Sequence, residues 1–447
     1  MSAPAPARIV AANVLERVTR DLAFADLALD AELARRPLDQ RDVALATEVV
    51  YGSLRWQRYL DWILAPHSKR PLEAVDVRVL TILGLSVYQL VFLERVPAFA
   101  VVNDAVSLAQ RRDARGADRF VNAVLRSFVR RPAAQREPPL PTDTAEALGT
   151  RWSHPSWLAQ RWIARFGPDD ATALMRAMNA RPPLTLRANT LRGARDALAE
   201  RLRVDEGLVT NPTRHAAEGL TVEPGGAPGG WRAFSDGLFA VQDEASMLVA
   251  RLLDPRPAET VADVCAAPGT KTTHLAALME NRGRILAFDP QPTRLARVRE
   301  SASRLGVSIV EATDGDVESL APGFAGTCDA VLVDAPCSNV GVLRRNPEVK
   351  WRRDTADLAA NARRQRTIVE AAAKMLKPGG RLVYATCSTE PEENDAIARW
   401  LLASREDLTV DPPAGFPIAL GADGFFRSLP HVHGTDGFTA VRIRRAV

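Results

Sequence analysis

From about residue 240 the chain settles into a repeated order of strand, polar loop and helix, and this order restricts the possible folds more than any other feature. Short apolar and β-branched runs at 261–265, 284–289, 308–312, 330–334 and 381–386 are predicted strands. Helical stretches at 270–280, 293–305, 354–376 and 391–403 separate most of them. Such alternation predicts a parallel sheet with helices on both faces, a doubly wound α/β domain over 240–447. The tail, Phe425 to Pro430 followed by Gly437 to Arg445, reads as a closing hairpin with His431 and His433 in its loop.

Ligands of open α/β sheets bind at the carboxyl ends of the strands, and four polar signals fall at such ends. The first runs Asp263, Val264, Cys265, Ala266, Ala267, Pro268, Gly269, Thr270, Lys271. It turns through Pro268 and Gly269 into a helix whose free N–H groups suit an anion. It is not a Walker A loop, because the first glycine of that motif would fall at Val264 and the Gly-Lys pair is missing. The second is Asp289, placed to take two ribose hydroxyls. Asp314 is the third, suited to an exocyclic amine. Asp334-Ala-Pro-Cys337-Ser338 is the fourth. Any one alone reads equally as a turn or a helix cap. Four in this order indicate a nucleoside-type cofactor.

Tyr384-Ala-Thr-Cys387-Ser-Thr-Glu-Pro-Glu-Glu-Asn394 follows the last predicted parallel strand. Thr389 and Glu392 have capping-box spacing, which predicts a helix starting just after Cys387. A helix N-terminus favours the thiolate of a nearby cysteine. The bland reading of any free cysteine is a buried structural one. Cys328 fits that reading, and Cys265 fits it in part. Cys337 and Cys387 both fall where the ligand is expected.

Residues 8–131 read as helix throughout, broken near Pro66 and Pro97. In 118–131, Phe120, Val121, Val124, Leu125, Phe128 and Val129 occupy one side at helical spacing, and Arg119, Arg126 and Arg130 form a stripe on the other. Such a stripe can grip phosphates, or it is a solvated face. Residues 1–132 thus form a helical, RNA-binding candidate domain, carrying 19 Lys+Arg against 15 Asp+Glu. A proline-rich linker follows at 133–144. Residues 145–239 are predicted as helices leading into a small α+β subdomain, with a second loop at 223–230.

Four cysteines with no CxxC spacing exclude a disulfide scaffold and predict a reduced, cytoplasmic protein. The first residues lack the pattern of a signal peptide, and no apolar run is long enough to span a bilayer. The six histidines show no metal-ligand spacing with cysteine, so no metal is expected.

The segments Asp263 to Lys271, Asp334 to Cys337, Thr386-Cys-Ser388 and Pro391-Glu-Glu-Asn394 together resemble the Nop2/Sun family of S-adenosylmethionine-dependent RNA cytosine-C5 methyltransferases. Arg41 to Glu48, Tyr51 to Trp56, Val96-Pro97, Val102 to Ala105 and Phe120 to Arg126 resemble the NusB-like domain fused to bacterial members. The likeness spans nearly the whole chain. Thr270, where many members have a second glycine, is a small departure that leaves Gly269 and Lys271 in place.

The resemblance implies an all-α NusB-like domain joined to a Rossmann-like class I methyltransferase domain. It implies S-adenosyl-L-methionine as cofactor, held by Cys265 to Lys271, Asp289, Asp314 and Asp334. A cytosine of 16S ribosomal RNA is the implied substrate, and a monomer the expected state. It makes Cys387 the nucleophile toward carbon 6, Cys337 the residue that assists adduct breakdown, and Asp334 the group at the base edge. Lys271 orients either Asp334 or the cofactor carboxylate. The target base must leave its stack, and Arg344, Arg345, Lys350, Trp351, Arg352 and Arg353 are candidates for gripping the flanking nucleotides, against the alternative of an idle basic loop. A non-catalytic RNA-binding protein would be expected to have lost a cysteine or an acidic cofactor residue, and none is missing. A DNA cytosine methyltransferase would use Cys337 as nucleophile and would not need Cys387. An amino-group methyltransferase would carry Asp/Asn-Pro-Pro-Tyr/Phe where Asp334-Ala335-Pro336-Cys337 stands.

Overall fold

The structure is a computed structural model that describes residues 3–111, 116–223 and 226–447. Residues 112–115 of the arginine-rich stretch, 224 and 225 of the second loop, and the first two residues lie outside the described ones. The chain forms two compact units, Met1–Ala180 with Leu343–Arg352, and Arg181–Val342 with Arg353–Val447.

The first unit is helical: α1 (Pro6–Arg20), α2 (Ala25–Arg35), α3 (Gln40–Arg55), α4 (Gln57–Leu64), α5 (Val77–Phe92), α6 (Ala98–Arg111), α7 (Ala117–Arg130), α8 (Thr144–Arg151), α9 (Ser156–Phe166) and α10 (Pro168–Asn179). Asp39, Asp76 and Asp143 start α3, α5 and α8 by accepting from backbone N–H groups of the first turn. Val10, Val14, Val49, Ile82, Leu83, Val121, Leu125 and Phe128 meet in one core. Each such fully buried side chain contributes on the order of 1.5–3 kcal/mol. On α7 the apolar residues face inward, while Arg119, Arg126 and Arg130 are exposed. The proline-rich stretch is tied down: Glu137 accepts from the Tyr59 hydroxyl at 2.8 Å and pairs with Arg151.

A second, smaller core in this unit joins Leu158, Trp162, Leu174, Met175 and Met178 to Leu343 and Val349. The basic run that follows Asp334-Ala-Pro-Cys337 is therefore largely built into the unit, and the expectation that Lys350 and Arg344 grip RNA is corrected by their burial. Lys350 is 1% exposed, and its ammonium donates to Arg55 O (3.1 Å), Ser153 O (3.1 Å) and Asn179 Oδ1 (2.5 Å). Arg344 is buried, with its carbonyl taking a bond from Arg55. Arg352 donates to the carbonyls of Val18, Leu22 and Ala23 at the end of α1 and just beyond it. Trp351 donates to Leu54 O. The half-buried Arg345 and Arg353 keep some exposed surface, and Arg353 lies 3.8 Å from Asp357. Apolar residues at 343 and 349 pull the segment inward, and its cations then satisfy carbonyls instead of phosphates.

Lys350→Ala would leave three acceptors without their donor. An unsatisfied buried group costs about 1–3 kcal/mol, so denaturant unfolding of the full chain should show a loss of about 3 kcal/mol or more. A change under about 0.5 kcal/mol, typical of surface sites, would restore the idle-loop reading.

The second unit contains two sheets. The smaller is antiparallel in the order β2-β3-β1-β4, built from β1 (Leu184–Ala188), β2 (Val209–Pro212), β3 (Gly219–Glu223) and β4 (Phe239–Val241). It is packed by α11 (Arg195–Glu206) and α12 (Arg232–Ser235), and α13 (Glu244–Leu253) leads on to the larger sheet. That sheet holds β5 (Thr260–Asp263), β6 (Arg284–Asp289), β7 (Val310–Asp314), β8 (Cys328–Asp334), β9 (Leu376–Thr386), β10 (Leu408–Val410), β11 (Phe426–Ser428) and β12 (Phe438–Arg445). Its order is β10-β12-β9-β8-β5-β6-β7, with β11 pairing β12.

Strands β5 to β9 are parallel, and β12 runs antiparallel to β9. Helices α14 (Thr270–Leu278), α15 (Pro292–Leu305), α16 (Val317–Leu320), α17 (Thr355–Lys374) and α18 (Asp395–Ser404) connect and cover them, and α19 (Pro430–His433) sits in the β11–β12 hairpin. Val261, Ala262, Leu286, Val331, Leu332 and Val383 are fully or almost fully buried, as expected for strands covered on both faces. The chain runs from β5 outward through β6 and β7, then returns to β8 on the other side of β5. That reversal opens a crevice at the carboxyl ends of β5 and β8. Among the described residues no helix is long and apolar enough to cross a membrane.

Candidate active site

The loop after β5 is held from several sides. Asp263 is buried and accepts from Thr272 Oγ1 at 2.8 Å. Burial pushes its carboxyl up to about 7; the Thr272 bond opposes this and nearby Asp334 adds to it. The Ala266 N–H reaches Phe288 O on β6 (2.9 Å), and Gly269 N–H closes back on Ala266 O (2.8 Å). Gly269 has φ +100°, and a Cβ there would stand 3.0 Å from Val298 Cα on α15. Any side chain would be strained and would push α15 away. Helix α14 therefore starts at Thr270 with its first N–H groups turned to the crevice end of β5.

Arg187, which the sequence reading passed over, fixes this helix start. Its fully buried guanidinium donates from β1 to Thr270 O (2.6 Å), Thr273 Oγ1 (3.0 Å) and Gln242 Oε1 (2.5 Å). Burial lowers its pKa to about 9. The small sheet thus braces the loop. An arginine within a five-residue strand carries no pattern that would have signalled it.

Asp289 ends β6, buried, with Oδ1 accepting from Gln291 N at 3.0 Å and Oδ2 lying 3.6 Å from Arg294. Asp314, its register partner on β7, is exposed. The Lys271 ammonium donates to Asp334 Oδ2 at 2.6 Å. Burial pulls the lysine down, but its attraction to Asp334 outweighs this and its pKa is raised. The four predicted carboxylates and the 265–271 loop therefore lie on neighbouring strand ends.

Cys337 and Cys387 follow the adjacent strands β8 and β9, and their Sγ atoms are 3.4 Å apart. The hydrogen bond to Cys387, then burial, then Glu393 push the Cys337 thiol well above its ordinary range. Burial, with Asp263, Asp334 and Asp289 around it, also raises Cys265, and buried Cys328 opens β8 far from the crevice end. Both stay inert thiols.

The expected helix just after Cys387 is absent. Pro391–Glu393 is a single 3₁₀ turn and α18 starts at Asp395, while Thr389 Oγ1 donates to Glu390. Thr389 therefore does not cap α18, which is preceded by Asn394. Residues 388–394 form a clamp instead. The fully buried Glu393 carboxylate accepts from Ser338 N (2.8 Å), Ser338 Oγ (2.5 Å) and Asn361 Nδ2 (2.9 Å). Asn394 donates to Ser388 O at 2.9 Å and takes the Thr386 hydroxyl bond. In the sequence, Pro391 to Asn394 carries only the family resemblance, and Thr389 with Glu392 only the capping-box spacing. The sequence reading also missed Asn339, whose Oδ1 is 2.9 Å from Cys387 Sγ. Gly341 donates to Cys387 O at 3.0 Å, and a Cβ on it would fall 2.2 Å from Gly437 O. That close approach requires glycine.

Fold and site together define a doubly wound α/β domain with a pair of thiols at its strand ends, and comparison with known proteins gives the class. Residues 250–444 match the family described as 16S rRNA methyltransferase RsmB/F, residues 5–130 match the NusB family, and residues 154–227 match an RsmF/B-like ferredoxin-like domain. The probable ribosomal RNA small subunit methyltransferase B of Bacillus subtilis (strain 168) is 34% identical over 457 residues, covering 98% of each chain. The solved structure of PH0851 aligns over 100% of both chains with a TM-score of 0.85 and 27% identity. That of NSun6 from Pyrococcus horikoshii with SFG has a TM-score of 0.60 and 26% identity, covering 66% of this chain and 98% of its own. The chain belongs to the RsmB/F family of 16S rRNA methyltransferases.

Proposed function

We propose that the enzyme methylates carbon 5 of a cytosine in 16S ribosomal RNA through a covalent Cys387–carbon 6 adduct. S-adenosyl-L-methionine, when bound, supplies an electrophilic sulfonium methyl group. The residues present suit it. The 265–271 loop offers backbone N–H groups, and Asp289 retains lone pairs for ribose hydroxyls beyond its bond to Gln291. Asp314 lies beside it in register.

Carbon 5 of cytosine is a weak nucleophile, and adding a thiolate at carbon 6 makes it enamine-like. Cys387 forms the S–C6 bond. The displaced electron pair moves toward N3, where the Lys271–Asp334 pair stabilises the change with a fixed, preorganised dipole. After carbon 5 has taken the methyl group, it loses its proton to water, and the electron pair left behind re-forms the C5–C6 double bond as the S–C6 bond breaks with its pair on sulfur. Cys337, held as a thiol 3.4 Å from the departing sulfur, stabilises the emerging thiolate by hydrogen bonding. The observation that carries this reading is the thiol pair on adjacent strand ends, with the two sulfurs 3.4 Å apart. The substrate implies a cytoplasmic location. Bisulfite sequencing of 16S rRNA from a deletion strain should show one protected cytosine lost, and regained when the gene is restored. An unchanged pattern would refute the assignment.

The exposed Arg119, Arg126 and Arg130 supply RNA affinity in this reading, since no carboxylate pairs with them among the described residues. Changing all three to Glu should weaken RNA binding and lower its log–log salt slope by about two, with cofactor affinity unchanged. Survival of both affinity and slope would leave the stripe a solvated face.

A further inference from the structure

Asn339 stands where the backbone itself disfavours an ordinary side chain. Its φ is +63°, in the left-handed region that glycine enters freely and asparagine tolerates best among the rest. The residues around it are fixed. Ser338 is bound through both N and Oγ to Glu393, Val342 N–H closes on Asn339 O at 3.1 Å, and Gly341 is bonded to Cys387 O. A loop pinned on both sides gives the Asn339 amide one direction. That direction is toward the thiols: Oδ1 is 2.9 Å from Cys387 Sγ and 3.6 Å from Cys337 Sγ, closing a triangle with the 3.4 Å sulfur–sulfur contact.

An amide oxygen has two lone pairs and no proton to give. Facing a thiol it accepts the S–H bond, and facing a thiolate it repels the charge. We propose that Asn339 is a positioning residue for both thiols: its amide oxygen aims the Cys387 sulfur and favours the resting, protonated pair over the ionised one. This inference rests on the reading of Cys387 and Cys337 as the reactive pair. The other ionisable groups that act on the thiols are Lys271 from α14, Tyr384 on β9 and Glu393 from the 391–393 turn, with Asp334 at the end of β8 bound to Lys271. The substitutions below alter none of them.

The test uses the full chain without RNA. Wild type, Asn339→Gly and Asn339→Asp are alkylated with iodoacetamide across pH 6–10, and each cysteine is followed by mass spectrometry. Glycine keeps the backbone unstrained and removes the acceptor. Cys387 should then react about fivefold faster at neutral pH, the weight of one neutral hydrogen bond, with its pH profile moved to lower pH. Asn339→Asp keeps the acceptor and adds a negative charge, so the Cys387 profile should move to higher pH. Buried Cys328 should react alike in all three, which reports that the fold is intact. Identical Cys387 profiles would overturn the proposal. Slower alkylation in Asn339→Gly would overturn it too, because the amide would then be donating to a thiolate. Neither result depends on methyl transfer. If Cys387→Ala still methylates RNA, the covalent reading fails on its own evidence, separately from this one.

Discussion

Cys337→Ala, incubated with RNA and S-adenosyl-L-methionine, should methylate at most once and stay attached to its product. A denaturing gel would show this as a slower, RNA-dependent band. Its physical basis is the 3.4 Å contact through which the Cys337 thiol stabilises the sulfur that must leave. Cys387→Ala cannot form the S–C6 bond and should bind RNA with no band and no turnover. Loss of a covalent nucleophile typically removes activity by several orders of magnitude. The double variant should also lack the band, since release is irrelevant when no bond forms. A trapped band in Cys387→Ala would reverse the two roles and point to the DNA-type arrangement. A band in neither single variant would count against covalent catalysis by this pair.

Asp289→Ala should weaken S-adenosyl-L-methionine binding by about thirtyfold to several hundredfold. The carboxylate is buried and held by Gln291 N–H, so it is ordered before a ligand arrives. Two charge-assisted hydrogen bonds to ribose hydroxyls contribute on the order of 2–4 kcal/mol together. Calorimetry on the full chain reads this directly, and wild-type affinity in the variant would remove Asp289 from the cofactor site.

The parallel sheet was legible because period and punctuation agree there. The segment 284–289 is strand β6 to the residue, and the other four predicted strands are displaced or extended by a few residues at their ends. The positions of Asp263, Asp289, Asp314 and Asp334 at strand ends were legible for the same reason, since each closes an apolar run. What local pattern could not give was the destination of side chains whose partners are far along the chain. Lys350 and Arg352 look like surface cations until residues near 18, 55, 153 and 179 supply their acceptors. Arg187 is hidden for the same reason, because its partners lie more than 50 residues away. Thr389 misled in the opposite way. Its capping-box spacing matched, but Pro391 begins a lone 3₁₀ turn and the reciprocal box forms at Asp354 and Asp357, where α17 begins. A spacing motif states what is possible locally, and competing bonds around Glu393 decide the outcome.

The return of Leu343–Arg352 to the first unit sets a timetable for synthesis. Chains emerge from the ribosome amino end first, and domains generally fold as they appear. Here Arg55 O, Ser153 O and Asn179 Oδ1 wait for a lysine translated 171 residues after the last of them. The core around Trp162 likewise waits for Leu343 and Val349. The amino-terminal helices therefore emerge first but reach their final stability only when four of the eight strands of the methyltransferase sheet, β5 to β8, have been made. A nascent chain stalled at Ala180 would be an open, protease-sensitive intermediate, with the last step of its folding written into the middle of the catalytic domain.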